Sequence, residues 1–257
     1  MVLPRILLGA RSPIPGSARL KPPADLTRAV MGCTNSLPAA DEFLVPHAAP
    51  SVEYLPGAVS TERLVLKVKE KLFSLRGDFT VKDQTGKPFC KVVGVFFSMR
   101  NRVVIKDMDG NPIACVLDKI FSASPAMFIY GFKPYYEGQQ PTSETYEDLP
   151  LYAWAKVWKL AFSLEPIYMI QMAKGNDEYT KATYETSDYK AWAPGFAAPR
   201  LSVVKGANKE KGGCCLIDRS TVQYEGRNVY DVTIAPGIDP ILMIGLTICK
   251  DKIQERG

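Results

Sequence analysis

The chain has 257 residues, 32 basic against 27 acidic, with 46% apolar and 23% charged residues. Its mean hydropathy of −0.06 excludes a polytopic membrane protein and a chain too polar to fold. A single histidine, His47, excludes Ser-His-Asp and Cys-His catalysis built on a core histidine, His-based zinc sites and haem ligation.

Charge is unevenly spread. Residues 1–30 carry Arg5, Arg11, Arg19, Lys21 and Arg28 against Asp25 alone, so the remainder is close to neutral. That balance argues against nucleic acid as a partner, because a binding domain shows a strong basic excess. Cysteines fall at 33, 90, 115, 214, 215 and 249 without C-x-x-C spacing, so no metal site is expected. Cys90, Cys115 and Cys249 sit in apolar runs and read as reduced core thiols of an intracellular protein.

Residues 1–60 are rich in proline and lack apolar periodicity. They are expected to form a flexible tail, followed by one folded domain over 61–257. Residues 1–30 are read as a mis-extended start or a targeting leader. From Glu62 the pattern turns to period two: Leu64, Leu66 and Val68 alternate with Lys67, Lys69 and Lys71. Strand-like runs then fall at about 64–72, 78–83, 88–97, 101–107, 112–120, 126–132, 151–163, 166–172, 178–185, 199–205, 213–219 and 226–235, twelve in all. The stretches 133–150 and 186–198 read as loops.

One short motif is repeated. Lys82-Asp83-Gln84-Thr85-Gly86-Lys87-Pro88 matches Lys106-Asp107-Met108-Asp109-Gly110-Asn111-Pro112 at a spacing of 24 residues. Each copy reads as a hairpin tip, with glycine supplying positive φ and proline starting the return strand. Asp107-Met108-Asp109-Gly110 has a superficial likeness to a calcium loop, but glycine at the sixth position and glutamate at the twelfth are missing. At the C-terminus, Asp239 caps and Pro240 opens a helix. Its run Ile241–Cys249 is apolar on every face and, at about 14 Å, too short to span a bilayer. Such a helix needs burial on all sides, and a closed barrel of the strands provides it. Gly245 lets the helix axis approach the wall.

Leu64–Phe73, Gly77-Asp78-Phe79-Thr80-Val81-Lys82-Asp83, Gly86-Lys87-Pro88 and Tyr230–Pro240 resemble the LURP-one-related family over roughly 62–254. That family is similar to tubby C-terminal domains and phospholipid scramblases. The resemblance implies an all-β fold, a twelve-stranded closed antiparallel barrel around a C-terminal hydrophobic helix. It implies no catalytic residue and no cofactor. Tubby-like domains bind phosphoinositides, scramblase relatives act at membranes and plant members are linked to defence, so an anionic phospholipid at a membrane surface, or an unidentified protein, is the implied partner.

Met31-Gly32-Cys33-Thr34-Asn35-Ser36 fits the N-myristoylation pattern if translation starts at Met31, with Cys33 placed for a second acyl chain. Dual acylation at Gly32 and Cys33 would hold a monomer on the cytoplasmic face of the plasma membrane. Lys67, Lys69 and Lys71, with Arg76, Arg100 and Arg102 nearby, are the candidate contacts for anionic headgroups; the alternative is a solvated strand face. Trp154 and Trp158 flank Lys156 on one strand face and read as wall packing or a membrane-facing aromatic patch. Glu144, Glu147 and Asp148 form an acidic loop without acid–base role, and no phosphate-cradling glycine loop occurs. The expected function is a non-enzymatic, membrane-associated binding module. The alternatives are a scramblase-like protein and a soluble stress- or defence-related scaffold.

Overall fold

The structure, a computed structural model, describes residues 40–69, 78–95, 102–118, 126–161, 163, 166–174, 187–193, 200–206, 212–219 and 229–255. Alternating side chains close twelve antiparallel strands into a barrel: β1 (Leu64–Lys69), β2 (Phe79–Asp83), β3 (Pro88–Val95), β4 (Arg102–Lys106), β5 (Pro112–Asp118), β6 (Ala126–Gly131), β9 (Tyr152–Lys159), β10 (Ile167–Met172), β11 (Tyr189–Trp192), β12 (Arg200–Lys205), β13 (Gly213–Arg219) and β14 (Val229–Ile234). Successive strands pair, and β14 closes on β1 with Leu64 opposite Ile234 and Lys67 opposite Asp231. Closure removes the sheet edges that would otherwise seek partners. A short hairpin, β7 (Thr145–Tyr146) and β8 (Leu149–Pro150), lies outside the ring.

The helix expected from Asp239 is α2 (Pro240–Glu255), following a one-turn α1 (Ala40–Phe43). Asp239 Oδ1 accepts hydrogen bonds from the N–H groups of Ile241 (2.8 Å) and Leu242 (3.2 Å), so the cap satisfies donors that the first turn cannot. Ile241–Cys249 is buried on every face against wall residues such as Leu66, Val81, Ile105, Ile129 and Val232. Thr247 turns its hydroxyl back to the Met243 carbonyl at 2.8 Å, which makes it tolerable in an apolar interior. A side chain at Gly245 would press on Ile129, so this position brings helix and wall close, as expected.

Residues 40–60 differ from the expected flexible tail. They belong to the same compact unit as the barrel and form a strap on it. Leu44 bridges Gly213, Val45 N–H donates to Gly213 O (3.0 Å), and His47 N–H donates to Pro236 O (2.9 Å). Phe43 meets Trp192 edge to face, and Leu44 and Tyr54 are buried. Its anchors, among them Phe43, Leu44, Val52, Tyr54 and Leu55, fall at irregular intervals along a proline-interrupted segment and leave no period for sequence to reveal. Residues 1–39 lie outside the described residues.

Two further differences concern loops. The expected strand at 178–185 lies outside the described residues, while β11 falls inside 186–198, which reads as a loop from sequence. Within 133–151, Tyr135 packs toward the main core beside Trp154, while Tyr146 and Leu151 lie over the outer face of the wall. There Tyr146 and Leu151 join Val104, Cys115, Leu117 and Tyr130 in a second buried cluster outside the barrel. The outer faces of β5 and β6, together with Val104 of β4, are therefore apolar, and Tyr146 and Leu151 of the loop cover them.

Candidate functional site

The outer face of β1–β4 gathers lysines. Leu66 and Val68 are buried inside, so Lys67 faces out. Val81 places Lys82 outward, Cys90 and Val92 place Lys91, and Ile105 places Lys106 by the same alternation. Register makes these into two like-charge pairs: Lys67 opposes Lys82 across β1–β2, and Lys91 opposes Lys106 across β3–β4. Like charges directly opposite each other destabilise a sheet. Two such pairs on four successive strands span about 15 Å at the usual strand spacing.

Acceptors within the protein offset part of this repulsion. Lys67 Nζ lies 3.0 Å from Asp231 Oδ1, and Lys91 Nζ donates to Met108 O at 2.9 Å. Lys106 Nζ sits 5.5 Å from the centre of the Tyr146 ring and 3.8 Å from Glu147 Oε1. The Tyr146 hydroxyl beside it, together with the Glu147 and Asp78 charges, holds the Lys106 ammonium above its ordinary range despite partial burial. Arg102, on the same outer face of β4, lies over the Tyr146 ring at 5.9 Å. One aromatic ring thus contacts both cations of β4.

Of the candidate headgroup contacts, the structure places Lys67 in this row and Arg102 at its β4 end. Lys69 is the last position of β1, opposite Val229. Lys71, Arg76 and Arg100 lie outside the described residues, as do Gly32 and Cys33. Lys82, Lys91 and Lys106 escaped the sequence reading. The signal for two of them was present, because Lys82 and Lys106 occupy the same position of the repeated motif.

Both copies of that motif are hairpin tips. Asp83 Oδ1 accepts from Thr85 N–H (2.8 Å), Thr85 hydroxyl (2.6 Å) and Lys87 N–H (3.0 Å). Asp107 Oδ1 accepts from Asn111 N–H (2.7 Å), and its Oδ2 from Asn111 Nδ2 (2.8 Å). These bonds, led by the Thr85 hydroxyl and the Asn111 amide, hold both carboxyls below their ordinary range. The Asp107 carboxylate closes its own turn. Among the described residues no cluster of three His, Cys, Asp or Glu side chains could hold a metal.

The tryptophans separate. Ile129 opposes Ala155 but Tyr130 opposes Ala153, so Trp154 is the extra residue of a bulge. It turns into the main core, where its Nε1–H donates to Lys133 O at 2.7 Å and its ring meets Tyr54 at 4.1 Å. Trp158 stays half-buried on the outer face, with Lys156 Nζ 5.0 Å from its ring centre. They do not form one patch. Cys90, Cys115, Cys214, Cys215 and Cys249 are free and buried, and burial pushes the Cys90 and Cys115 thiols up to about 12. Protonated thiols are poor nucleophiles. Burial also lowers the pKa of His47, which packs in the strap with Nε2 3.3 Å from Gly213 O.

Comparison with known proteins follows the same lines. The family model described as LURP-one-related matches residues 64–251. The crystal structure of a protein from Arabidopsis thaliana is similar at a TM-score of 0.52 and 14% identity, over 79% of this chain and 98% of that one, which establishes the shared fold. Comparison with curated proteins gives no match.

Proposed function

The chain belongs to the LURP-one-related family, with a tubby-like barrel, and from that premise we propose a non-enzymatic module that binds anionic phospholipid through the lysine row of β1–β4. The observation that carries this reading is the pair of like-charge registers, Lys67 with Lys82 and Lys91 with Lys106. An arrangement that costs folding energy is explained when an external anion relieves it. The interior supports it from the other side: α2 fills the barrel, so ligand contact falls to the outer surface.

Acylation at Gly32 and Cys33 belongs to the same reading. With 40–60 held on the barrel, only residues 34–39 separate Cys33 from the docked strap, so an acylated chain would hold the barrel close to the inner leaflet. A scramblase-like role is the alternative, although α2 spends its apolar run inside the barrel and no described helix is long and apolar enough to cross a membrane.

The test is co-sedimentation with phosphatidylcholine vesicles with and without phosphatidylserine. Wild type is expected to bind the anionic vesicles only, with affinity falling as salt rises. Lys82→Gln/Lys91→Gln/Lys106→Gln is expected to bind roughly a hundredfold more weakly, at about 1 kcal/mol per charge. Equal binding by both proteins would remove the lysine row from the reading. Lipid flip-flop in the same vesicles would favour the scramblase-like role, and mass spectrometry of the mature N-terminus tests acylation.

A further inference from the structure

Among the described residues only Val45, Met108 and Leu149 are large apolar side chains with substantial exposure, at 38%, 38% and 42%. Val45 belongs to the strap. Met108 and Leu149 belong to neighbouring hairpins at one end of the lysine row. Met108 is in the β4–β5 tip, and its own carbonyl accepts the hydrogen bond from Lys91 Nζ. Leu149 follows the β7–β8 turn, two residues beyond Glu147, whose carboxylate pairs with Lys106. Both lysines that touch these hairpins belong to the row.

Their exposure is not a failure of local packing. The β4–β5 tip is closed by Asp107 and Asn111, which leaves the intervening Met108 outside the turn's bonding. In the other hairpin Tyr146 is buried and Leu149 is left out. Each tip therefore holds one apolar side chain on a backbone that is already tied down, so ordering it at an interface costs little entropy.

We infer that Met108 and Leu149 are a paired wedge that enters the headgroup–acyl boundary of an anionic bilayer and sets the orientation of the barrel on it. This rests on the lipid-binding reading above and adds a defined penetrating edge. Basic side chains next to exposed apolar ones are the composition of an interfacial contact. The row supplies attraction to headgroups, and the two tips supply apolar area. Asp109 and Asp148 flank the tips and oppose deep entry into an anionic surface, so the contact is shallow.

The experiment uses the full chain and vesicles of phosphatidylcholine with phosphatidylserine, and pairs two kinds of variant. Met108→Asp and Leu149→Asp are each expected to weaken vesicle binding about tenfold, with unchanged thermal unfolding because both side chains are exposed. Met108→Trp and Leu149→Trp are expected to bind at least as well as wild type and to gain tryptophan emission that brominated lipid quenches beyond the wild-type level. Vesicle binding by wild type with undiminished binding of the Asp variants and no added quenching would overturn the wedge while leaving the lysine row standing. No vesicle binding by wild type would overturn both, and capture of a soluble protein that the Asp variants abolish would reassign the same edge to a protein partner.

Discussion

The main-chain N–H of Tyr54 donates to Asp239 Oδ2 at 2.9 Å, while Oδ1 of the same carboxyl caps α2. One buried side chain thus ties the strap to the start of the central helix, across 185 residues of sequence. The Tyr54 ring completes the joint: it packs on Trp154, and its hydroxyl donates to the Ile129 carbonyl at 3.4 Å.

Asp239 gives the fold a defined pH dependence. Burial raises its pKa from 3.8 to about 6, against the opposing N–H bonds of Tyr54, Leu242 and Ile241. Between those values the folded state holds a proton that the unfolded state has released. The stabilising contribution is therefore complete below about pH 4 and is lost as pH rises through about 6, on the order of 2–3 kcal/mol. Urea unfolding of wild type and Asp239→Asn at pH 4.5 and 7 should show a steeper loss in wild type; equal slopes would contradict the assignment.

Gly237 tests the strap seat. Its φ is +78°, and a Cβ there would lie 1.8 Å from the His47 carbonyl oxygen. Gly138 has a similar φ of +81° with open space around it. Gly138→Ala should cost about 1 kcal/mol from backbone conformation alone, and Gly237→Ala at least about 2 kcal/mol more. Equal losses in chemical denaturation would mean that the strap contributes nothing at this contact.

The β7–β8 turn can be improved. Glu147 and Asp148 have φ values of +48° and +63°, a geometry in which Asn-Gly is strongly preferred. Glu147→Asn/Asp148→Gly should stabilise by about 1 kcal/mol and raise Tm by a few degrees. An unchanged or lowered Tm in calorimetry would show that the acidic pair contributes a compensating interaction, the Lys106–Glu147 contact being the first to probe.

The five buried thiols should be inert in the native state. Desolvation raises the pKa of each, and none is open to solvent. Site-resolved mass spectrometry after iodoacetamide at pH 7.5 should find Cys90, Cys115, Cys214, Cys215 and Cys249 unmodified until denaturant is added. Rapid native labelling of any one would identify a local opening of the wall around it.

The pattern of residues by itself determined most of the barrel strands, the paired hairpin tips and the capped helix, because each depends on neighbours only a few positions away, whereas β11 and the β7–β8 hairpin fall in stretches that read as loops. Val81 and Lys82, or Asp107 and Asn111, need nothing distant to take their places. Gly32 and Cys33 carry a motif that sequence alone makes visible. Tertiary structure alone decided that Lys67 meets Lys82 and that Lys91 meets Lys106, since strand register is set by closure of the whole barrel. It decided that Trp154 turns inward, because a single bulge against Tyr130 reverses the alternation. It also decided that residues 40–60 are part of the fold. Their seat is built from Gly213, Pro236, Gly237 and Asp239, which come together only once β13, β14 and α2 are in place, and a chemically complementary surface made of distant residues leaves no local period to read.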